Sequence, residues 1–97
     1  MAVTVLLELK AKSGTGDAMV GVFKSILPDT RAYEGCISVD VLQNQDDPDT
    51  LVLVEVWEAK QNHEKYMGWR AETGLVDQLM AAVENPPSIR YFETADA

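Results

Sequence analysis

LVLVEVWEAKQNHEKYMGWR, residues 51–70, changes its periodicity part-way along. From Leu51 to Trp57 the side chains alternate. Leu51, Leu53, Glu55 and Trp57 fall on one side of a strand, and Val52, Val54 and Val56 on the other. After a turn at Glu58-Ala59 the spacing becomes helical over 59–73. His63, Met67 and Arg70 recur at four and three and share a face that Tyr66 and Trp69 flank. Both tryptophans, the only histidine and one of the three tyrosines lie in this stretch. A ligand pocket is therefore expected where this strand meets this helix.

Working outward, residues 2–12 alternate with a period of two and predict a first strand, with Val3, Val5, Leu7 and Leu9 on one face. Ser13-Gly14-Thr15-Gly16 is a turn, and Thr15 or Asp17 is placed to cap a helix over 17–33 that carries Met19, Val22, Phe23, Ile26 and Leu27 at helical spacing. Pro28 lacks a backbone N–H, so a kink or restart is expected near Leu27, and Gly35 is a candidate left-handed cap. Cys36–Gln43 predicts a second strand with Ile37, Val39 and Val41 on one face. A polar hairpin loop at 45–49 leads to the third strand. Gly74 separates the helix over 59–73 from a shorter one at 75–84, and Asn85-Pro86-Pro87 stops that helix before a fourth strand at Ser88–Thr94.

The order is β-α-β-β-α-β, an α+β ferredoxin-like arrangement in a single domain spanning 1–97, with both helices on one face of a four-stranded antiparallel sheet. The third strand is apolar on both faces, and two helices cover only one. Burying one valine stabilises by roughly 1.5–3 kcal/mol, so a second copy packed sheet to sheet is expected: a homodimer through the sheet face.

A net charge of −8 opposes nucleic-acid binding, which needs clustered Lys and Arg, and opposes docking on an anionic membrane. No apolar run approaches the ~18 residues of a membrane span, and the start MAVTVLLELKAK reads as a strand, not a signal peptide. Cys36, alone, forms no internal disulfide, which fits a cytoplasmic protein. It is expected as a small buried hydrophobe, and one Cys with one His make a zinc site improbable.

The stretch TRAYEGCISVDVLQNQDDPDTLVLVEVWEAKQNHEKYMGWR, residues 30–70, resembles the antibiotic biosynthesis monooxygenase domain of the dimeric α/β-barrel superfamily. The matching features are an acidic-Gly-Cys turn into a strand, a polar hairpin, and a Val-Glu-x-Trp-Glu strand end that leads into a helix. The resemblance implies a dimeric barrel. It also implies oxygenation of an aromatic phenol or quinol with no cofactor, flavin or metal: the bound substrate is deprotonated and its anion reduces O₂. Trp57 matches the family's pocket-lining tryptophan. The family's helix histidine falls at Tyr66 or Met67 here, with His63 one turn earlier, and the first-strand asparagine of the haem-degrading branch appears as Leu7. Two of that branch's three parts are missing, so haem degradation is rejected.

Among the candidate residues, His63 is either the base that deprotonates a phenol or a partly exposed surface residue beside Glu64 and Lys65. Tyr66 either hydrogen-bonds a ligand oxygen or fills space at a rim. Trp57 is a pocket wall or a core residue. Met67 and Phe23 are further walls or core, and Arg70 is a clamp for an anionic ligand or part of a salt bridge. Glu55 is expected to pair with Arg31 or Arg70, or to sit at an edge. The expected function is a cofactor-independent monooxygenase. The alternatives are a non-catalytic module that holds an apolar small molecule in the same cleft, and a detoxifying isomerase or decyclase.

Overall fold

The computed structural model describes residues 2–97. Along the chain run β1 (Val3–Lys10), α1 (Gly16–Ala32), β2 (Cys36–Gln43), β3 (Thr50–Trp57), α2 (Lys60–Glu72), α3 (Leu75–Ala82) and β4 (Ser88–Phe92). The four strands form one antiparallel sheet in the order β2-β3-β1-β4, the ferredoxin-like topology. Register sets Val5 opposite Glu55, Leu7 opposite Leu53 and Leu9 opposite Leu51 in the centre of the sheet. β3 alternates as its sequence demands: Leu51, Leu53, Glu55 and Trp57 are buried against the helices, while Val52, Val54 and Val56 are half-buried on the opposite face. Leu6 lies among those valines, and Leu42 and Phe92 stand exposed at the margins of that uncovered face.

Three local features differ from the sequence-based expectation. α1 runs unbroken through Pro28. The carbonyl that loses its partner, on Lys24, lies on the exposed side of the helix, where water can satisfy it. The start of α1 is capped by neither Thr15 nor Asp17: Asp49, from the β2–β3 loop, takes the backbone N–H groups of Gly14 at 3.0 Å and Gly16 at 2.8 Å. Gly16 is needed there, because a Cβ at that position would meet the Pro48 carbonyl oxygen at 2.1 Å. Finally, a β-bulge between Cys36 and Ser38 turns Ile37 out to solvent, so Ile37 does not share the inner face with Val39 and Val41.

The buried side chains form two clusters. The larger gathers Leu9, Met19, Phe23, Leu27, Val39, Leu51 and Leu53, and the smaller Val3, Val5, Trp57 and Tyr66. Glu55 sits on β3 between Leu53 of the first cluster and Trp57 of the second. The seam between the two clusters is where the polar groups converge.

Candidate functional site

The buried residues of α2 are His63, Tyr66 and Arg70. Tyr66 is thus at the centre of the inward face and does not flank it, while Met67 and Trp69 are half-buried to either side. Each of the three inward side chains has a polar tip, and those tips fall into two groups.

One group surrounds the Tyr66 hydroxyl. It lies 2.5 Å from Thr30 Oγ1 and accepts the Arg70 Nε–H at 2.8 Å. Nη2 of Arg70 donates to the Ile26 carbonyl at 2.8 Å and to Thr30 Oγ1 at 3.0 Å. The guanidinium packs over Trp69 with 4.6 Å to the ring centre, and Arg70 is only 7% exposed. None of the ion pairs among the described residues involves Arg70. Its charge is held by neutral oxygens and aromatic faces, which leaves the guanidinium itself open to an incoming anion. Only one hydroxyl proton is spent between Thr30 and Tyr66, so the other is free to donate to a ligand.

The second group is acidic. Glu55, 3% exposed, accepts the Trp57 indole N–H at Oε1 over 3.0 Å. His63 Nε2 approaches the same oxygen at 3.8 Å, and His63 Nδ1 lies 2.8 Å from the hydroxyl of Tyr91 on β4. The imidazole, 1% exposed, stands edge-on to Trp57. Burial drives its pKa down to about 4 against the opposing charge of Glu64, so near neutrality the ring is uncharged and its contact with Glu55 is not an ion pair. Burial pushes the Glu55 carboxyl up, with the indole hydrogen bond acting the other way. The Tyr91 hydroxyl is also raised, by burial and then by Glu64 and Glu55.

Between the groups lies a cavity of about 50 Å³ whose polar walls are Thr30, Glu55, Tyr66 and Arg70, completed by apolar residues including Phe23, Met67 and Leu79. It has room for a little water and falls well below the roughly 300–1,000 Å³ of a small-molecule site. The element that limits it is α3. Apolar clefts of about 190 Å³ flank that helix on each side, and Leu79 lines all three spaces. α3 follows Gly74, which adopts φ +83°, and it is tied down at its far end where Val83 bridges Ala11. Among the described residues, no three His, Cys, Asp or Glu side chains gather closely enough to hold a metal ion, and no helix is long and apolar enough to cross a membrane.

A family model described as antibiotic biosynthesis monooxygenase matches residues 2–71, the span that supplies the sheet's first three strands and every polar wall of the cavity. The chain belongs to the antibiotic biosynthesis monooxygenase family. No curated protein matches it. Solved structures agree on the fold of this family member. A conserved protein from Methanosarcina mazei has a TM-score of 0.86 at 19% identity, covering 98% of this chain and 94% of that one. A crystal structure named as an antibiotic biosynthesis monooxygenase gives 0.84 at 18%, covering 96% and 98%. A protein from Mycobacterium tuberculosis gives 0.84 at 20%, covering 100% and 98%.

In this monooxygenase-family chain, four of the six candidate residues (Phe23, Tyr66, Met67 and Arg70) line one cavity. The other two, Trp57 and His63, stand behind Glu55 and do not line it. His63 is not the surface residue its charged neighbours suggested. Glu55 pairs with neither expected arginine: Arg31 donates to the Val39 carbonyl at 2.9 Å, and Arg70 is engaged as described. Thr30 and Glu55 were missed as site residues, although each left a signal. Thr30 continues the buried stripe Phe23–Leu27 of α1. Glu55 and Trp57, two apart on one strand face, bring a carboxylate to an indole N–H.

Proposed function

We propose that this protein is a cofactor-independent monooxygenase acting on an aromatic phenol or quinol. The observation that carries the reading is the Arg70 guanidinium, buried beside the Tyr66 and Thr30 hydroxyls with no carboxylate partner among the described residues. Donors aimed at a space where charge develops stabilise an anion far more in a dry site than in water. A ring oxygen held by Arg70 and the free hydroxyl proton is stabilised as the substrate loses a proton. The anion then gives its electrons to O₂. One oxygen atom ends on the ring carbon, and the other leaves as water with two substrate hydrogens. Phe23 and Met67 serve as walls, and Trp57 and His63 support the site from behind Glu55. Ring binding requires α3 to move outward, which the clefts on either side of it and the glycine at its start permit.

The test is oxygen uptake with the anthrone dithranol, a tautomer of a tricyclic phenol. Uptake is expected to persist with chelator present and to fall about 10²–10³-fold in Arg70→Gln. Dithranol binding without uptake supports instead a non-catalytic module that holds an apolar molecule, a reading favoured by the cleft that Leu9, Met80, Pro86 and Ile89 line. Absence of binding removes both.

The uncovered sheet face is proposed to pair with a second copy of the chain. Val52, Val54 and Val56 repeat along it with Leu6, Leu42 and Phe92 around them. Light scattering is expected to give twice the 10.7 kDa of one chain, and Val54→Glu to halve that mass. A wild-type mass of 10.7 kDa at micromolar concentration rejects the pairing.

A further inference from the structure

We infer that Glu55 is the catalytic base of this site, and that His63 and Tyr91 form the path by which the proton it takes reaches solvent. The substrate's identity rests on the monooxygenase reading above; the assignment of the base rests on which groups face the cavity.

Among the described residues, four polar side chains reach that cavity, and three of them are poor proton acceptors. A guanidinium such as that of Arg70 offers donors and no acceptor, and the Thr30 and Tyr66 hydroxyls are engaged with it and with each other. Glu55 is the remaining one and is a carboxylate. His63, the obvious base from sequence, does not line the cavity. The indole N–H and the imidazole both approach Oε1, so Oε2 is the atom left to face a ligand. The indole bond also fixes the carboxylate's orientation, which general-base catalysis needs before any matching of pKa.

The step balances within the site. A ring C–H or O–H bond of the substrate breaks, its electron pair stays on the substrate and spreads onto the oxygen beside Arg70, and the proton bonds to Glu55. With the imidazole in its Nδ1–H tautomer, Nε2 takes that proton after the carboxyl, no longer charged, releases the indole N–H and turns its protonated Oε2 toward the ring, which stands 3.8 Å from Oε1. The Nδ1 proton then passes to the Tyr91 oxygen 2.8 Å away, as the hydroxyl's own proton leaves to water. Tyr91 is half-buried, with Lys60 over its ring at 4.6 Å, and so stands at the boundary with solvent.

Burial supports the role by holding the Glu55 carboxyl above its ordinary value, nearer to what abstraction close to neutrality requires. The ionisable groups around it come from every neighbouring element. They are His63, Tyr66 and Arg70 from α2, Cys36 from β2 and Tyr91 from β4, with Glu64 and Arg31 acting on those neighbours.

Anaerobic exchange of the dithranol ring methylene with D₂O, followed by proton NMR, isolates proton abstraction from oxygen chemistry. The wild-type protein is expected to accelerate exchange. Glu55→Gln, which keeps the oxygen that accepts the indole bond, is expected to slow exchange by about 10²-fold or more with dithranol affinity and melting temperature held. The fall in rate on the acid side of the pH profile should disappear with it, and Glu55→Asp should restore part of the rate. Tyr91→Phe is expected to retain binding while slowing the entry of deuterium. Undiminished exchange in Glu55→Gln overturns the assignment, as does a wild-type protein that catalyses none. Wild-type exchange without oxygen uptake leaves Glu55 as the base and removes the monooxygenase reading. Undiminished oxygen uptake in Glu55→Gln does the reverse.

Discussion

α2 and α3 lie side by side and invert the usual relation between composition and burial. α2, KQNHEKYMGWRAE, is strongly polar, yet it buries His63, Tyr66 and Arg70. α3, LVDQLMAA, is largely apolar, yet none of its residues is fully buried and Met80 is 44% exposed. The contrast follows from what each helix meets. The polar tips of α2 find hydrogen-bond partners in Thr30, Ile26 and Tyr91, and the described residues leave no buried side-chain nitrogen or oxygen unsatisfied. Leu79 and Ala82 of α3 reach the larger core cluster, but the helix borders cavities on three sides and so packs less completely. A hydrogen-bonded polar wall therefore faces an apolar one that is less completely buried.

The strongest way to break this comparison is to truncate one side chain on each helix and measure urea denaturation. Tyr66→Ala removes a ring from the smaller core cluster and strands the Arg70 and Thr30 donors, so a loss of about 3–5 kcal/mol is expected. Leu79→Ala is expected to cost about 1 kcal/mol, because the side chain is only partly buried and already borders voids. Equal losses would mean that α3 is as firmly packed as α2.

Acid titration sharpens the account of the α2 side. The folded-state pKa of His63, about 4, lies below its ordinary 6.5, so in that window the unfolded chain binds the extra proton and stability falls as pH drops. Glu55 acts with the opposite sign. Its raised pKa lets the folded state hold a proton that the unfolded state has released, so its contribution grows as pH drops through the raised value. The two offset each other in the wild-type protein. Glu55→Gln should uncover the histidine alone, as a decline of up to about 1.4 kcal/mol per pH unit below pH 6.5 in thermal melts. A decline no steeper than wild type would mean that the imidazole is not held neutral.

The smallest expected effect concerns motion. Amides of Leu79–Ala82 should exchange with deuterium roughly tenfold faster than those of Tyr66–Arg70, and bound dithranol should narrow the gap. Matching rates in the free protein would count against α3 as the moving wall.

The features legible in the sequence were those carried by period. The two-residue alternation of β3 set its faces, and the shift to helical spacing after Glu58 brought Tyr66, Met67 and Arg70 to one place. What escaped depended on partners distant in sequence. Asp49 caps a helix that starts 33 residues before it. The carboxylate at 55 takes its proton donor from the neighbouring tryptophan, where an arginine had been expected. His63, flanked by Glu64 and Lys65, reads as surface until β4 brings Tyr91 to it. A proline in a helix reads as a break until Pro28 and Lys24, one turn apart, are both found on the exposed side.

The misaligned pair at the start of β2 also governs how these molecules meet at their rims. β2 is an edge strand, and with Ile37 bulged out its hydrogen-bonding row is interrupted within the first residues. The opposite edge, β4, offers only the five residues from Ser88 to Phe92. A foreign strand arriving at either margin finds no long, flat template, so fibrillar growth by strand addition is disfavoured at both borders even when the chain is crowded.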